Sequence, residues 1–412
     1  MDDKKIERSI YWSSFIVRCL LGLAAVWISQ HTTLSLIEDA AYYAETGAKI
    51  SSEWLSEGSS TTLNTAMESD RQAWGMVLII AILSVLVGGV KNISVLIILY
   101  TFITALTPVI TYKIARRLGI LPKAALNGAQ LIMFSPVFAF WAGSLYKEGV
   151  VLLTLNLIVY HILILQKKYV VQSIIYIALS IFVLLSLRFY LAALLLPIIL
   201  LGVLLVRAND ETRVRKQNWA NFLFHLITRQ GLSITFLVAA LIFFGFNNRI
   251  IHLLPDSIND FFYALQLSRD DLVESGAASG YLRDIDISVP QSAIIFLPRG
   301  ILYFLTVPFP WQLGPFRQNL VIPEMIFWLW QYPFIFLGMK RGLQRNFQGS
   351  FVLIAVTVLM LCFYGALVGN AGTAYRLRSQ IWLFWAIFAG WYGEKKIMAR
   401  YRKNQIASLN SA

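Results

Sequence analysis

Two adjacent carboxylates, Glu38 and Asp39, follow the first apolar segment of the chain, where a membrane helix would meet water. Tyr43 comes four residues after Asp39, so on a helix the two side chains would share one face. A carboxylate in this position could act as a general base or orient a metal ion. A buried carboxylate could also have a raised pKa that suits proton abstraction. The segment is therefore a candidate catalytic site.

Further polar residues that could do chemistry occur in the short segments between apolar runs. Arginine side chains can hold a phosphate through two hydrogen bonds at a membrane surface. An acid, several cations and large apolar walls together fit a lipid-phosphate substrate. In chain order, the candidates are Glu38, Asp39, Tyr42, Tyr43, Lys147, Glu148, Arg188, Tyr190, Arg299, Asn370, Tyr375, Arg376 and Arg378.

Each of these signals also has a structural interpretation. A carboxylate just after a helix end is usually solvated, and Lys147 with Glu148 can be a neighbouring ion pair at a helix start. Arg376 and Arg378 can snorkel to lipid head groups without specificity. His161 lies in an apolar run, where a satisfied packing residue is the better explanation.

The sequence requires no cofactor and identifies no metal. A divalent cation is compatible with the acidic pair after the first apolar segment. Asp284 and Asp286 have a metal-binding spacing, but two aspartates in a polar loop are very weak support for a metal site.

The composition is that of an integral membrane protein. The 412 residues are 58% hydrophobic and only 14% charged, whereas about a quarter of the residues in soluble globular proteins are charged. No polar stretch has the length of an ordinary soluble domain, so we predict one integral membrane domain over residues 1–412. The net charge of +13 follows membrane topology, so the partner it indicates is the lipid bilayer and not a nucleic acid.

The apolar runs predict about ten transmembrane helices. The basic clusters between them fall on one side, and cytoplasmic loops are enriched in Lys and Arg, so both termini are predicted to be cytoplasmic. Residues 30–92 and 248–323 then contain the large loops of the outer face. The predicted spans are 10–29, 93–113, 124–143, 148–166, 170–187, 189–206, 232–247, 324–338, 350–368 and 378–393.

Two further apolar segments, 75–90 and 291–309, do not fit this topology as spans. Counting either one alone as a span would move a basic cluster to the outer face. Pro298 and Pro308 interrupt the second segment, as suits an element that does not cross the membrane. We predict re-entrant or interfacial helices on the outer face. The expected fold is an all-α polytopic membrane protein.

The order of the motifs resembles that of the GT-C membrane glycosyltransferases, which use polyprenyl-phosphate-linked sugars at the outer face of a membrane. By this resemblance, Asp39 is the catalytic base, Glu38 is its neighbour and Glu148 is a second acidic position. The arginines near the last span would contact the lipid phosphate. The resembling segments are Asp39 to Tyr43, Tyr112 to Gly119, Ser135 to Ser144 with Lys147 and Glu148, and Asn370 to Arg378.

The resemblance implies a GT-C-like enzyme of the bacterial inner membrane that acts in cell-surface polysaccharide biosynthesis. It would move a sugar from a polyprenyl-phosphate-linked donor to a glycan or lipid acceptor at the periplasmic face. Arg376 and Arg378, with Arg188 and Arg299, would hold the departing phosphate.

Two alternatives share the lipid carrier. One is a polysaccharide or O-antigen polymerase, and the other is a transporter or flippase of a lipid-linked saccharide. A transporter is expected to place its ionisable residues near the bilayer midplane, whereas the charges here gather at one face. This distribution favours the enzyme. A non-catalytic scaffold in polysaccharide export is a third alternative.

Overall fold

The structure is a computed structural model that describes residues 2–34, 36–57, 73–168, 170–204, 257–275, 279–309, 311 and 316–409. In these ranges the regular secondary structure is helical, which confirms the predicted all-α class. An isolated antiparallel bridge joins Gly280 to Asn370. The helices are α1 Asp3–His31, α2 Glu38–Glu57, α3 Trp74–Leu86, α4 Ile93–Thr104, α5 Leu106–Arg117, α6 Pro122–Phe134, α7 Pro136–Gly143, α8 Lys147–Leu165, α9 Val171–Leu204, α10 Ile258–Ser275, α11 Pro290–Thr306, α12 Phe316–Arg345, α13 Phe347–Leu367 and α14 Ala371–Leu409.

Among the described residues, six helices are long and apolar enough to cross a membrane. This finding is compatible with a multi-pass membrane protein. The predicted span 232–247 lies outside the described residues, and the predicted span 378–393 lies within α14, which is not one of the six. The six are Asp3–His31, Ile93–Arg117, Lys147–Leu165, Val171–Ile199, Asn319–Arg345 and Phe347–Leu367.

The predicted span 124–143 is a bent pair of helices, α6 and α7, with an angle of 58° between them. Ser135 lies at the break with extended backbone angles, φ −67° and ψ 127°. Pro136 follows it, and a proline disfavours the helical conformation of the residue before it. The pair is a seventh candidate span if it is counted as one.

Where the sequence predicts two spans, 170–187 and 189–206, the structure has one helix across a kink. Within α9, Arg188 has non-helical angles of φ −155° and ψ 78°. The predicted break therefore falls at the right residue, but it is a local kink, and Val171–Ile199 counts as one candidate span. The sequence on both sides is apolar and lacks the polar turn residues that would support a loop.

Part of the predicted outer-face loop region 248–323 is helical, because residues Ile258–Ser275 form α10. Ser257 precedes the helix and accepts a hydrogen bond from the backbone N–H of Asp260 at 3.1 Å, as an N-cap residue does. Leu265, Arg269 and Val273 form its buried side. Their spacing of four is the amphipathic period of a helix.

The segments 75–90 and 291–309 correspond to the short helices α3 and α11. They contain 13 and 17 residues, respectively. Neither is among the candidate spans, and their placement as re-entrant or interfacial helices stays a prediction.

Two compact units make up the chain. The first comprises residues 1–206 and 390–412, and the second comprises residues 207–389. In the first unit, α8 packs against α9, and α1 packs against α7. A Cβ on Gly22 of α1 would lie 2.1 Å from the carbonyl oxygen of Gly143 in α7, so this approach requires glycine.

In the second unit, α11 and α12 both pack against α13. The indole rings of Trp328 in α12 and Trp382 in α14 are fully buried. They stack with centroids 4.6 Å apart and planes inclined by 7°. This tryptophan stack joins α12 to α14.

The predicted orientation can be tested with accessible tags. Tags inserted at Ser60 and Ser275 are expected to be labelled from outside intact cells. By the ten-span count of the sequence, tags at Thr212 and Gln344 are labelled only after permeabilisation, because basic clusters remain on the cytoplasmic side. If Val171–Ile199 crosses the membrane only once, the Thr212 tag is labelled from outside. Labelling of the Ser60 tag only after permeabilisation would reverse the topology and place Asp39 on the cytoplasmic face.

Candidate functional site

The acidic pair Glu38 and Asp39 forms the first turn of α2. Both side chains are exposed, and their charge interacts favourably with the positive end of the helix dipole. Tyr43 is buried, whereas Tyr42 is exposed. Four residues on a helix turn through about 400°, so Asp39 and Tyr43 are offset by about 40°. Tyr43 therefore points into the packed side, and Asp39 lies at its edge.

Tyr146 brings the acidic segment to the start of α8. Its hydroxyl donates a hydrogen bond to the carbonyl oxygen of Leu36 at 3.0 Å. Leu36 lies two residues before Glu38, and Tyr146 lies two residues before Glu148. The first-loop acids and the predicted second acidic position are thus held in one region of the first unit.

Glu148 is fully buried in the first turn of α8 and forms an ion pair with Arg188. A second guanidinium nitrogen of Arg188 donates to the hydroxyl of Tyr190. Arg188 is the kink residue of α9, so the kink places its side chain next to α8. These three residues are all predicted site residues, and the structure brings them together.

Arg18 joins this region and was not predicted from the sequence. It is fully buried near the middle of α1 and donates to the carbonyl oxygen of Thr104. Tyr100 donates to the carbonyl oxygen of Tyr146 and lies within electrostatic range of Arg18, Tyr43 and Glu148. We call Arg18, Tyr43, Tyr100, Glu148 and Arg188 the first polar cluster. The sequence does carry a signal for Arg18. It is a single arginine within an apolar run, and ionisable residues in such runs usually serve a function.

In the second unit, Asn370 precedes α14 and stabilises its start. Its side-chain oxygen accepts hydrogen bonds from the backbone N–H groups of Gly372 at 2.8 Å and Thr373 at 3.2 Å. This is the geometry of an N-cap residue. Asn370 was predicted as a binding residue, and its described contacts give it the structural role of capping α14.

Tyr375 donates a hydrogen bond to the carboxylate of Glu324 in α12. Burial and the adjacent Glu324 raise the pKa of Tyr375 well above its usual value. The hydroxyl therefore stays protonated at neutral pH and acts as a donor. Glu324 is itself buried and was not predicted as a site residue, because it lies at the edge of a predicted span.

Arg378 is fully buried, whereas Arg376 is partly exposed. Arg378 donates to the carbonyl oxygen of Val307 and contacts the sulfur of Met325. The two arginines were predicted to lie near the start of the last span, and both are helical because α14 begins at Ala371. Side chains two residues apart on a helix do not face each other. The two arginines therefore project in different directions, which argues against their gripping one phosphate together.

Arg299 is exposed on α11, with its guanidinium carbon 5.8 Å from the ring centroid of Tyr303. Lys147 is partly buried at the start of α8. Two residues that the sequence analysis missed, Arg269 and Tyr281, are buried in the second unit. They belong to the region that was assigned to the outer-face loops.

Within the described part of the chain, no group of three or more His, Cys, Asp or Glu side chains is arranged to hold a metal ion. Asp286 accepts a hydrogen bond from the backbone N–H of Ser288 at 2.8 Å.

His161 lies 3.1 Å from the hydroxyl of Ser173 and stacks on Tyr176. The prediction that His161 is a satisfied packing residue is confirmed.

The class that these findings define is an all-helical protein with several helices of membrane-spanning length and apolarity. No protein-family model matches the chain, and a search of curated proteins gives no significant match.

Proposed function

We propose that the protein is a membrane glycosyltransferase that uses a polyprenyl-phosphate-linked sugar. The sugar would pass to a glycan or lipid acceptor at the periplasmic face of a bacterial inner membrane, in the synthesis of a cell-surface polysaccharide. The observation that supports this proposal best is the hydrogen bond from Tyr146 to Leu36. It holds the acidic start of α2 close to the buried ion pair of Glu148 and Arg188.

The proposed chemistry is displacement at the anomeric carbon of the sugar. Asp39 takes the proton of the acceptor hydroxyl, and the acceptor oxygen forms a bond to the anomeric carbon. The bond from that carbon to the phosphate oxygen breaks, and polyprenyl phosphate leaves with the electron pair. A positioned general base of this kind contributes about 10²–10⁴-fold to a rate.

The exposure of Asp39 suits contact with an acceptor that arrives from water, whereas Glu148 is enclosed and engaged with Arg188. We therefore assign the base to Asp39. Glu148 and Arg188 hold α8 to the kink of α9 and so maintain the wall of the site.

A transporter or flippase of a lipid-linked saccharide is the second candidate, and one observation favours it. Arg18 is buried near the middle of an apolar helix. Transporters place ionisable side chains at this depth. Two of the guanidinium nitrogens of Arg18, Nε and Nη2, have no hydrogen-bond partner among the residues that the structure describes.

One reconstitution experiment separates the candidates. The purified chain is placed in liposomes with a polyprenyl-phosphate-linked hexose that carries a labelled sugar, together with an envelope extract as acceptor. A glycosyltransferase is expected to release polyprenyl phosphate and transfer the label. A flippase would move the intact lipid between leaflets without breaking the sugar–phosphate bond, and that result would refute the proposal. A polymerase would give a ladder of repeat units.

A further inference from the structure

Three guanidinium groups lie over aromatic rings of one helix, α11. The guanidinium carbon of Arg269 is 4.9 Å from the ring centroid of Phe296. That of Arg299 is 5.8 Å from Tyr303, and that of Arg378 is 5.8 Å from Phe304. Positively charged side chains of α10, α14 and α11 itself therefore lie against the aromatic rings of α11.

Tyr281 lies among these arginines. Its backbone N–H donates to the carbonyl oxygen of Gly369 at 2.7 Å, which ties the segment to the start of α14. Its ring stacks on Tyr303, with centroids 5.8 Å apart. The carbonyl oxygen of the next residue, Leu282, accepts from Arg269 at 2.9 Å. The Tyr281 hydroxyl is within electrostatic range of both Arg269 and Arg378.

The buried donors of this region are incompletely satisfied. Among the described residues, the Nε atoms of Arg269 and Arg378 and the hydroxyl of Tyr281 have no hydrogen-bond partner. Arg269 and Tyr281 are at most 7% exposed, and Arg378 is fully buried. Buried donors in native structures are rarely left without an acceptor, and an unsatisfied one points to a missing water or ion.

Described carboxylates balance this charge only through space: Asp270 lies within electrostatic range of Arg269, and Glu324 lies within electrostatic range of Arg378. Within the described residues, Arg269, Arg299 and Arg378 form no salt bridge. Two carboxylates lie nearby, but each accepts from another side chain. Asp270 accepts from Gln266 at 2.8 Å, and Glu324 accepts from Tyr375.

We propose that Arg269, Tyr281 and Arg378 form a phosphate-binding site. The terminal nitrogens of Arg269 already donate to the carbonyl oxygens of Ala366, Val368 and Leu282. A phosphate would therefore accept from the Nε–H groups of the two arginines and from the Tyr281 hydroxyl. Burial raises the pKa of Tyr281 above its usual value, so its hydroxyl remains a donor at neutral pH. The site is a feature of the second unit alone and goes beyond the proposed function: its ligand is a phosphate group, either free or carried on a lipid.

The test uses the full chain in nanodiscs of phosphatidylcholine. Binding of farnesyl phosphate, farnesol and inorganic phosphate is measured by titration calorimetry for the parent and for Tyr281→Phe. This substitution removes only a hydroxyl without a described partner, so the melting temperature is expected to be unchanged. Tyr263→Phe, in exposed α10, is the matched control. Arg378→Lys is a second variant that keeps the charge but loses the planar fork.

Tyr281→Phe is expected to weaken binding of farnesyl phosphate by about tenfold or more, because a hydrogen bond to a charged group is lost. Binding of farnesol should not change. An equal loss for inorganic phosphate would support the site and identify free phosphate as a sufficient ligand. If Tyr281→Phe and Arg378→Lys both bind farnesyl phosphate as tightly as Tyr263→Phe does, the site is refuted.

Failure of the phosphate site can be distinguished from failure of the proposed glycosyltransferase function. Phosphate binding that depends on Tyr281 in a protein that transfers no sugar would keep this site and reject the glycosyltransferase. Sugar transfer by the parent protein, together with unchanged binding of both phosphates in Tyr281→Phe, would reject the site and keep the enzyme.

Discussion

The Asp39→Asn protein is expected to transfer sugar about 10²–10⁴-fold more slowly than the parent, because an amide cannot accept the acceptor's proton. Its folding should be little affected. Asp39 is exposed in the first turn of α2, where loss of a favourable dipole interaction costs about 0.3–1 kcal/mol. The measurement is the initial rate of polyprenyl phosphate release in nanodiscs, with the melting temperature as a check of folding.

Two variants of the same helix serve as controls for Asp39→Asn. Glu45→Gln removes an exposed carboxylate one to two turns further along α2 and should leave the rate unchanged. Glu38→Gln should lower the rate less than Asp39→Asn does. A near-parental rate in Asp39→Asn would move the assignment of the base to Glu148.

Glu148→Ala is expected to destabilise the protein by about 3–5 kcal/mol, the usual cost of leaving one partner of a buried ion pair uncompensated. Arg188 would then be a charge that is 7% exposed, with its ion-pair partner removed. The measurement is the unfolding midpoint in mixed micelles, followed by the loss of buried-tryptophan fluorescence.

A double variant separates the pair from general packing damage. Glu148→Leu with Arg188→Met replaces both charges by apolar groups of similar size and should recover most of the lost stability. The surface pair Lys113 and Glu7, at 3.1 Å, is the matched control. Its removal should cost about 0–1 kcal/mol, as is usual for exposed pairs. Equal losses for the two pairs would contradict a stabilising role for Glu148 and Arg188.

The sequence was sufficient for properties that depend on local pattern. The hydropathy of the apolar runs identified the helices around Glu148 and Arg188, because the length of an apolar run sets whether it can cross a bilayer. It also named Glu148, Arg188 and Tyr190 as candidates. It could not pair Glu148 with Arg188, since 40 residues separate them and the contact exists only after α8 and α9 pack.

Side chains that act through packing were harder to find. Arg269 was missed because residues 248–323 were assigned to the outer-face loops, although the four-residue spacing of Leu265, Arg269 and Val273 is helical. Tyr281 has no local signal, because the bridge between Gly280 and Asn370 places it. A joint role of Arg376 and Arg378 in phosphate binding stays a prediction, and the helix that contains both directs these side chains, two residues apart, to different sides.

The tryptophan stack between α12 and α14 gives this protein an intrinsic optical probe. The two stacked indole rings, 4.6 Å apart, are held in a fixed asymmetric environment and are expected to contribute to the near-ultraviolet circular-dichroism spectrum. That contribution should fall when α12 separates from α14, even if every helix remains intact. Near-ultraviolet spectra report fixed side-chain packing, whereas far-ultraviolet spectra report helix content. The second unit can therefore be checked for native packing in any detergent, without a label and without knowledge of its substrate.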